Sequence, residues 1–153
     1  MTTPALVMCT NEAFHPRANA YREGFRHVML FVWTADGWYG REFRPGAGEI
    51  IYPRVAEADD DLLTMLGGND PRLDQELARR RANIVATEIR YRYQWRWAWH
   101  RKLPVYFVKH HLGLKAPAVK RPYHLFKMLE PTEETPKKAR PVVATAQLIM
   151  PVK

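Results

Sequence analysis

The pattern of apolar and polar positions along this chain changes period several times, and each change predicts an element. Residues 1–24 carry no clear period and end at Gly24. From Arg26 the run His27-Val28-Met29-Leu30-Phe31-Val32-Trp33 is apolar and strand-prone, and Asp36-Gly37 leads into Trp38-Tyr39-Gly40-Arg41-Glu42-Phe43. This predicts a β-hairpin over residues 26–43, with Asp-Gly supplying the positive φ of a tight turn. After the loop Arg44-Pro45-Gly46-Ala47-Gly48, residues 49–52 predict a short third strand stopped by Pro53. Residues 59–66 predict a short helix, with acids at its positive end and Gly67-Gly68 as C-cap. Asn69-Asp70-Pro71 predicts a second helix start, and an apolar arc through Leu73, Leu77 and Ile84 carries that helix to about Ile89.

The period then becomes two. In residues 89–100 the odd positions are Ile89, Tyr91, Tyr93, Trp95, Trp97 and Trp99, while the even positions except Ala98 are polar. On a helix these six would scatter around the circumference, whereas on a strand they line one face. A strand is the favoured reading. A helix running straight through is the competing one, because no Gly or Pro interrupts residues 72–103. Val105-Tyr106-Phe107-Val108 predicts a further strand, residues 112–122 a Pro/Gly/Lys loop, and residues 123–129 a strand or extended segment. Residues 131–141 read as a polar, Pro-bounded linker, and residues 142–153 as a last strand that pairs with the sheet or with a neighbouring subunit. Strand groups around a helical centre predict an α+β fold over residues 1–130: one domain, a mainly antiparallel sheet, the hairpin near its N-terminus and one or two central helices.

Composition agrees with one core. The chain has 153 residues, 46% hydrophobic and 26% charged, with one cysteine. That lone Cys9 excludes an internal disulfide framework and a cysteine-only zinc site within the chain. The N-terminal residues lack the positive leader and apolar run of a secretory signal, and no run approaches the length of a membrane span. A cytoplasmic protein without membrane insertion is the expectation.

Charge alters the picture more. The formal net charge is +8, from 24 Lys and Arg against 16 Asp and Glu. Residues 1–78 hold seven Arg and twelve acids; residues 79–127 hold thirteen Lys or Arg and one acid, Glu88. A block so poor in carboxylates either pairs with the acidic first half or faces an anionic partner.

Inside that block Arg alternates with aromatic residues, a combination that proteins use on single-stranded nucleic acid, rings on bases and guanidinium on phosphate. If residues 89–100 form a sheet strand, however, the Tyr and Trp side chains are its core face. The Arg face is then the better binding candidate. Arg90, Arg92, Arg96, Arg101, Lys102 and Lys109 are the expected contacts, with nucleic acid or an acidic protein surface as partner. A membrane-surface segment fits less well, since period-two spacing makes no amphipathic helix.

Other chemistry is thinly signalled. The six histidines show no i,i+2 or i,i+4 ligand pair, so no metal or cofactor is expected. The glycines of residues 44–49 lack the Lys-Ser/Thr that follows a phosphate-binding loop, and Asp59-Asp60-Asp61 reads as a helix start before a cation site. The chain contains no serine, which removes the commonest hydrolase triad, and Cys9 has no local partner. A nuclease built from Glu49, Glu57, the Asp59–Asp61 run and Glu88 is the enzyme class hardest to dismiss, yet none stands at diagnostic spacing. The expectation is therefore a non-catalytic basic protein that contacts nucleic acid through residues 79–127. The alternatives are a structural or interaction subunit of a larger assembly, of phage type by size and character and open to homo-oligomers, or an inhibitor of a partner protein.

Overall fold

The computed structural model describes residues 2–68, 70–80, 83–89, 104–114, 116 and 118–130. Five strands, β1 (Thr3–Thr10), β2 (His27–Thr34), β3 (Gly37–Arg44), β4 (Gly48–Ala56) and β5 (Asn83–Ile89), form an antiparallel sheet in the order β4-β3-β2-β1-β5. Helices α1 (Leu62–Gly68) and α2 (Gln75–Arg80) connect β4 to β5, and α3 (Pro104–Leu112) and α4 (Pro122–Leu129) follow. The class is α+β, as the sequence predicts, and the hairpin and two central helices are present.

Helices cover the sheet on both faces. Leu6, Met8, Met29, Phe31 and Trp38 pack against Leu62, Leu66 and Leu77 of α1 and α2. The alternate residues Ala5, Val7, Cys9, Val28 and Leu30 pack against Val105, Val108, Leu112 and Leu125 of α3 and α4. This arrangement explains why β1 is invisible as a pattern. It lies between β2 and β5 and is buried from Pro4 to Thr10, so no polar residue marks an outward face. Pro4 sits near its start, where a missing donor is tolerated.

Three other sequence expectations are corrected. Residues 105–108 and 123–129 are helical, not extended. Val105, Val108 and Leu112, and likewise Pro122, Leu125 and Leu129, are buried at i, i+3 and i+7, a helical arc that a four-residue apolar run leaves ambiguous. The predicted long helix to Ile89 stops at Arg80, and Asn83–Ile89 is β5, paired along its length with β1. Val85, Ala86 and Thr87 are all buried there, so the strand shows no alternation. The start of α2 also moves. Asp74, not Asp70, accepts the Glu76 amide at 2.8 Å and the Ala78 amide through its carbonyl, while Asp70 closes a turn with Leu73.

The hairpin differs in detail. Thr34 pairs with Gly37, so the loop residues are Ala35 and Asp36, tied by the Thr34 hydroxyl, which accepts from the Asp36 amide and donates to the Gly37 carbonyl. Strand β4 runs past Pro53 because a bulge opposite Trp38–Gly40 absorbs it, with Arg54 at φ 46°. No described helix is long and apolar enough to cross a membrane. The predicted strand beyond Ile89, the linker at 131–141 and the strand at 142–153 lie outside the described residues.

Gly37 has φ +137°, and a Cβ there would stand 2.6 Å from the Ala56 carbonyl oxygen. Gly37→Ala should therefore lower the urea midpoint, costing more than about 1 kcal/mol, with an unchanged denaturant slope. A midpoint equal to wild type would contradict the clash.

Candidate functional site

Glu42 points inward from β3 and is fully buried, a position that demands partners. It has them from several elements. Arg80 at the end of α2 donates through Nη1 and Nη2 at 2.8 and 2.9 Å, His27 of β2 lies at 2.8 Å through Nε2, Arg44 donates through Nε at 3.1 Å, and the Tyr52 hydroxyl of β4 donates as well. Arg80 also meets Glu12 at 3.0 Å, and Arg44 meets Glu76 at 2.9 Å. The Phe14 ring closes the cluster, edge-on to His27 at 4.7 Å and under both guanidinium groups.

The electrostatics follow from this geometry. Burial pushes the Glu42 carboxyl upward, but the hydrogen bonds from Arg80, His27, Tyr52 and Arg44 outweigh it and hold the group far below the usual carboxylate range. Burial lowers His27 despite Glu42, so the imidazole is held neutral, and burial beside Glu42 pushes Tyr52 up to about 12. A carboxylate has about four lone-pair sites. These donors occupy them, which makes Glu42 a structural anion without capacity to take a proton from a substrate.

The basic block divides between fold and surface. Arg80 is buried on Glu42. Lys109, one of the expected contacts, is buried too: its Nζ donates to the carbonyls of Ala116 and Val119 at 2.8 and 2.6 Å and lies 4.4 Å from the Tyr106 ring centroid. Burial and the nearby Lys120 charge lower its pKa. Lys109 thus pins the α3–α4 connection and offers no charge to a ligand. Arg90, Arg92, Arg96, Arg101 and Lys102 lie outside the described residues.

The exposed cations come from an unexpected pairing. The β1–β2 connection, including a 3-10 turn at Pro16–Ala20, wraps the end of the sheet and meets α4. Phe25 packs on Tyr123 and Phe126; the Arg22 guanidinium lies 4.3 Å from the Tyr123 ring, and that of Arg121 lies 5.4 Å from the Tyr21 ring. Arg17, Arg22, Lys120 and Arg121 are all exposed. Sequence reading missed residues 17–26 because they belong to the acidic half. The available signal was local: Phe14, Tyr21 and Phe25 interleaved with Arg17, Arg22 and Arg26.

Acids gather across the sheet. Residues 57–76, which carry α1 and the start of α2, contain seven Asp or Glu and one base, Arg72. Arg72 bridges Asp70 at 3.0 Å and Asp60 at 3.3 Å, and Asp61 caps α1 by accepting from the Thr64 amide and hydroxyl. The acidic run at 59–61 thus serves a helix start. Among the described residues no three metal-ligating side chains come together. Cys9 is buried, its Sγ 3.8 Å from the Pro122 carbonyl, with burial pushing the thiol well above its usual range.

A cleft opens at the sheet end, beside the Glu42 cluster. Phe14, His15, Tyr21, Arg26, Lys120 and Pro122 are among its walls, and His27 reaches it from the Glu42 cluster. No family model, curated protein or solved structure matches this chain.

Glu42→Gln should cost about 3–5 kcal/mol near neutral pH, because Arg80 is left buried without its counter-charge. The folded His27 lies below its ordinary 6.5 and the folded Glu42 below its ordinary 4.5, so acid favours the unfolded chain at both. In urea titrations across pH, stability should fall as pH drops below about 6.5, and the gap between wild type and E42Q should shrink below about 4.5. A gap independent of pH would contradict the buried, ionised carboxylate.

Proposed function

We propose that this chain is a non-catalytic binding module that contacts nucleic acid mainly through phosphate. The observation that carries the reading is the separation of charge across the sheet. Acids surround α1 and α2, whereas exposed Arg17, Arg22, Lys120 and Arg121 share one surface at the β1–β2 connection and the start of α4. Arg22 and Arg121 lie over tyrosine rings, so their guanidinium groups are positioned before a ligand arrives. Arginines held in place lose less entropy on meeting a phosphate, and their donors fit its oxygens. The arginines of residues 90–101 belong to the same basic block and are proposed as further contacts.

A second reading draws on the same separation. An acidic face and a basic face on one small domain are complementary, so copies of the chain, or an acidic partner protein, would be drawn to the same surface. The protein would then be an interaction subunit. Self-association of this kind would appear in light scattering as oligomers that dissolve with salt and need no nucleic acid.

Fluorescence polarisation with labelled single- and double-stranded oligonucleotides tests the first reading. The contacts of Arg22, Lys120 and Arg121 alone predict about a 20- to 40-fold affinity loss between about 50 and 200 mM salt, and each further contact steepens it. The double variant Arg22→Gln/Arg121→Gln should flatten the salt slope by about 1.4–1.8, while Arg72→Gln on the acidic side should leave it unchanged. Absence of binding to either strand form at low salt would refute the reading.

A further inference from the structure

We infer that the cleft at the sheet end is a pocket for a phosphoryl group, a discrete site beyond the open surface proposed above. Its described walls contain no carboxylate. They contain two cations from separate elements, Arg26 from the start of β2 and Lys120 from the loop before α4, and neither makes an ion pair among the described residues. Among the described residues no carboxylate neutralises the Arg26 guanidinium, which stands in the cleft wall with its Nε closed off from solvent.

His15 adds a third donor. Its Nδ1 accepts from the Arg17 amide at 3.1 Å, so in the neutral ring Nε2 carries the hydrogen. That nitrogen belongs to a residue of the same wall. Apolar surface from Phe14, Pro45 and Val105 completes the lining and lowers the local dielectric, which strengthens any charge-assisted bond made inside.

The ligand class follows from charge and shape. The cleft is narrow, a cavity of about 30 Å³. Two cations and a neutral donor match a group with a charge of about −1.5 to −2 and three acceptor oxygens, which is a phosphate monoester. A carboxylate offers one charge and two coplanar oxygens and would leave a donor unmet. Arg121 over the Tyr21 ring and Arg22 over Tyr123 flank this region, so whatever carries the phosphate would extend over the basic surface. Free phosphate monoesters and the phosphorylated end of a nucleic acid share this chemistry. The pocket shares Lys120 with the open surface and otherwise does not depend on the nucleic-acid reading.

The test uses the full chain and inorganic phosphate, followed by calorimetry and by phosphorus NMR line width. Saturable binding is expected, weakened about tenfold or more in Arg26→Gln and in Lys120→Gln, and retained in Lys120→Arg and in the distant Arg79→Gln. Lys120 is exposed, so its variants report on the ligand even where Arg26→Gln disturbs folding. No saturable binding by the wild type, or equal affinity in K120Q, would overturn the pocket. Oligonucleotides of one sequence with a 5′-phosphate or a 5′-hydroxyl then separate the two sources. Tighter binding of the phosphorylated strand, abolished in K120Q, supports the pocket and assigns it to a nucleic-acid end. Equal binding of both strands beside intact phosphate binding supports it as a site for a free monoester. Phosphate binding without any oligonucleotide binding would fail the open-surface reading alone.

Discussion

The carboxylate of Glu42 is the constraint around which the rest of the molecule is arranged. Removing an ionised carboxylate from water costs several kcal/mol even after relaxation. Its donors therefore come from every side: His27 on β2, Arg44 on β3, Tyr52 on β4 and Arg80 at the end of α2. Arg80 reaches it only because α2 ends there and the chain turns into β5. A buried ion pair of this kind adds less to net stability than to uniqueness, since any register shift of β3 would leave Arg80 or Glu42 uncompensated. Through Arg80 the cluster also holds Glu12, and through the Phe14 ring it fixes where the β1–β2 connection begins.

That connection carries the effect across the sheet. From Phe14 at the Glu42 cluster it passes the sheet end and reaches α4, where Phe25 packs on Tyr123 and Phe126. Arg17, Arg22 and Arg26 lie along this path, so a segment from the acidic half of the sequence delivers cations to the basic side. The acids it leaves behind cap α1, bridge to Arg72 or answer Arg80 and Arg44. Linear charge counts and the folded charge map thus differ for a topological reason, the position of one loop.

Elements with a local turn or cap signal were legible in the sequence. The hairpin announced itself through its turn, and α1 through Asp61 and the apolar residues that follow it. Elements without such a signal were not. Strands β1 and β5 lie between helices of opposite faces; β1 carries a continuous apolar run and β5 the short run Ile84-Val85-Ala86, which helical and extended patterns share. The short runs at Val105 and Leu125 were ambiguous for the same reason, since four residues cannot separate a period of two from one of 3.6. The buried cluster had no local signature: Glu42, Arg80 and His27 are up to 53 positions apart and meet only in the fold.

The same logic decides which positive charges can act. A lysine or arginine near an unmet backbone carbonyl or a buried carboxylate is drawn into the fold, and its charge is then screened from any ligand. Lys109 is held by the Ala116 and Val119 carbonyls, and Arg80 by Glu42. Among the described residues, the Arg22 and Arg121 guanidinium groups meet the faces of tyrosine rings, which orient a guanidinium without neutralising it. Arg26 and Lys120 meet no anion among the described residues. A cation's worth to a partner is therefore set by the kind of contact it makes at home: a carboxylate cancels it, a carbonyl pair encloses it, and a ring presents it. At the junction of the β1–β2 connection with α4 the described contacts of Arg22 and Arg121 are with rings and not with carboxylates.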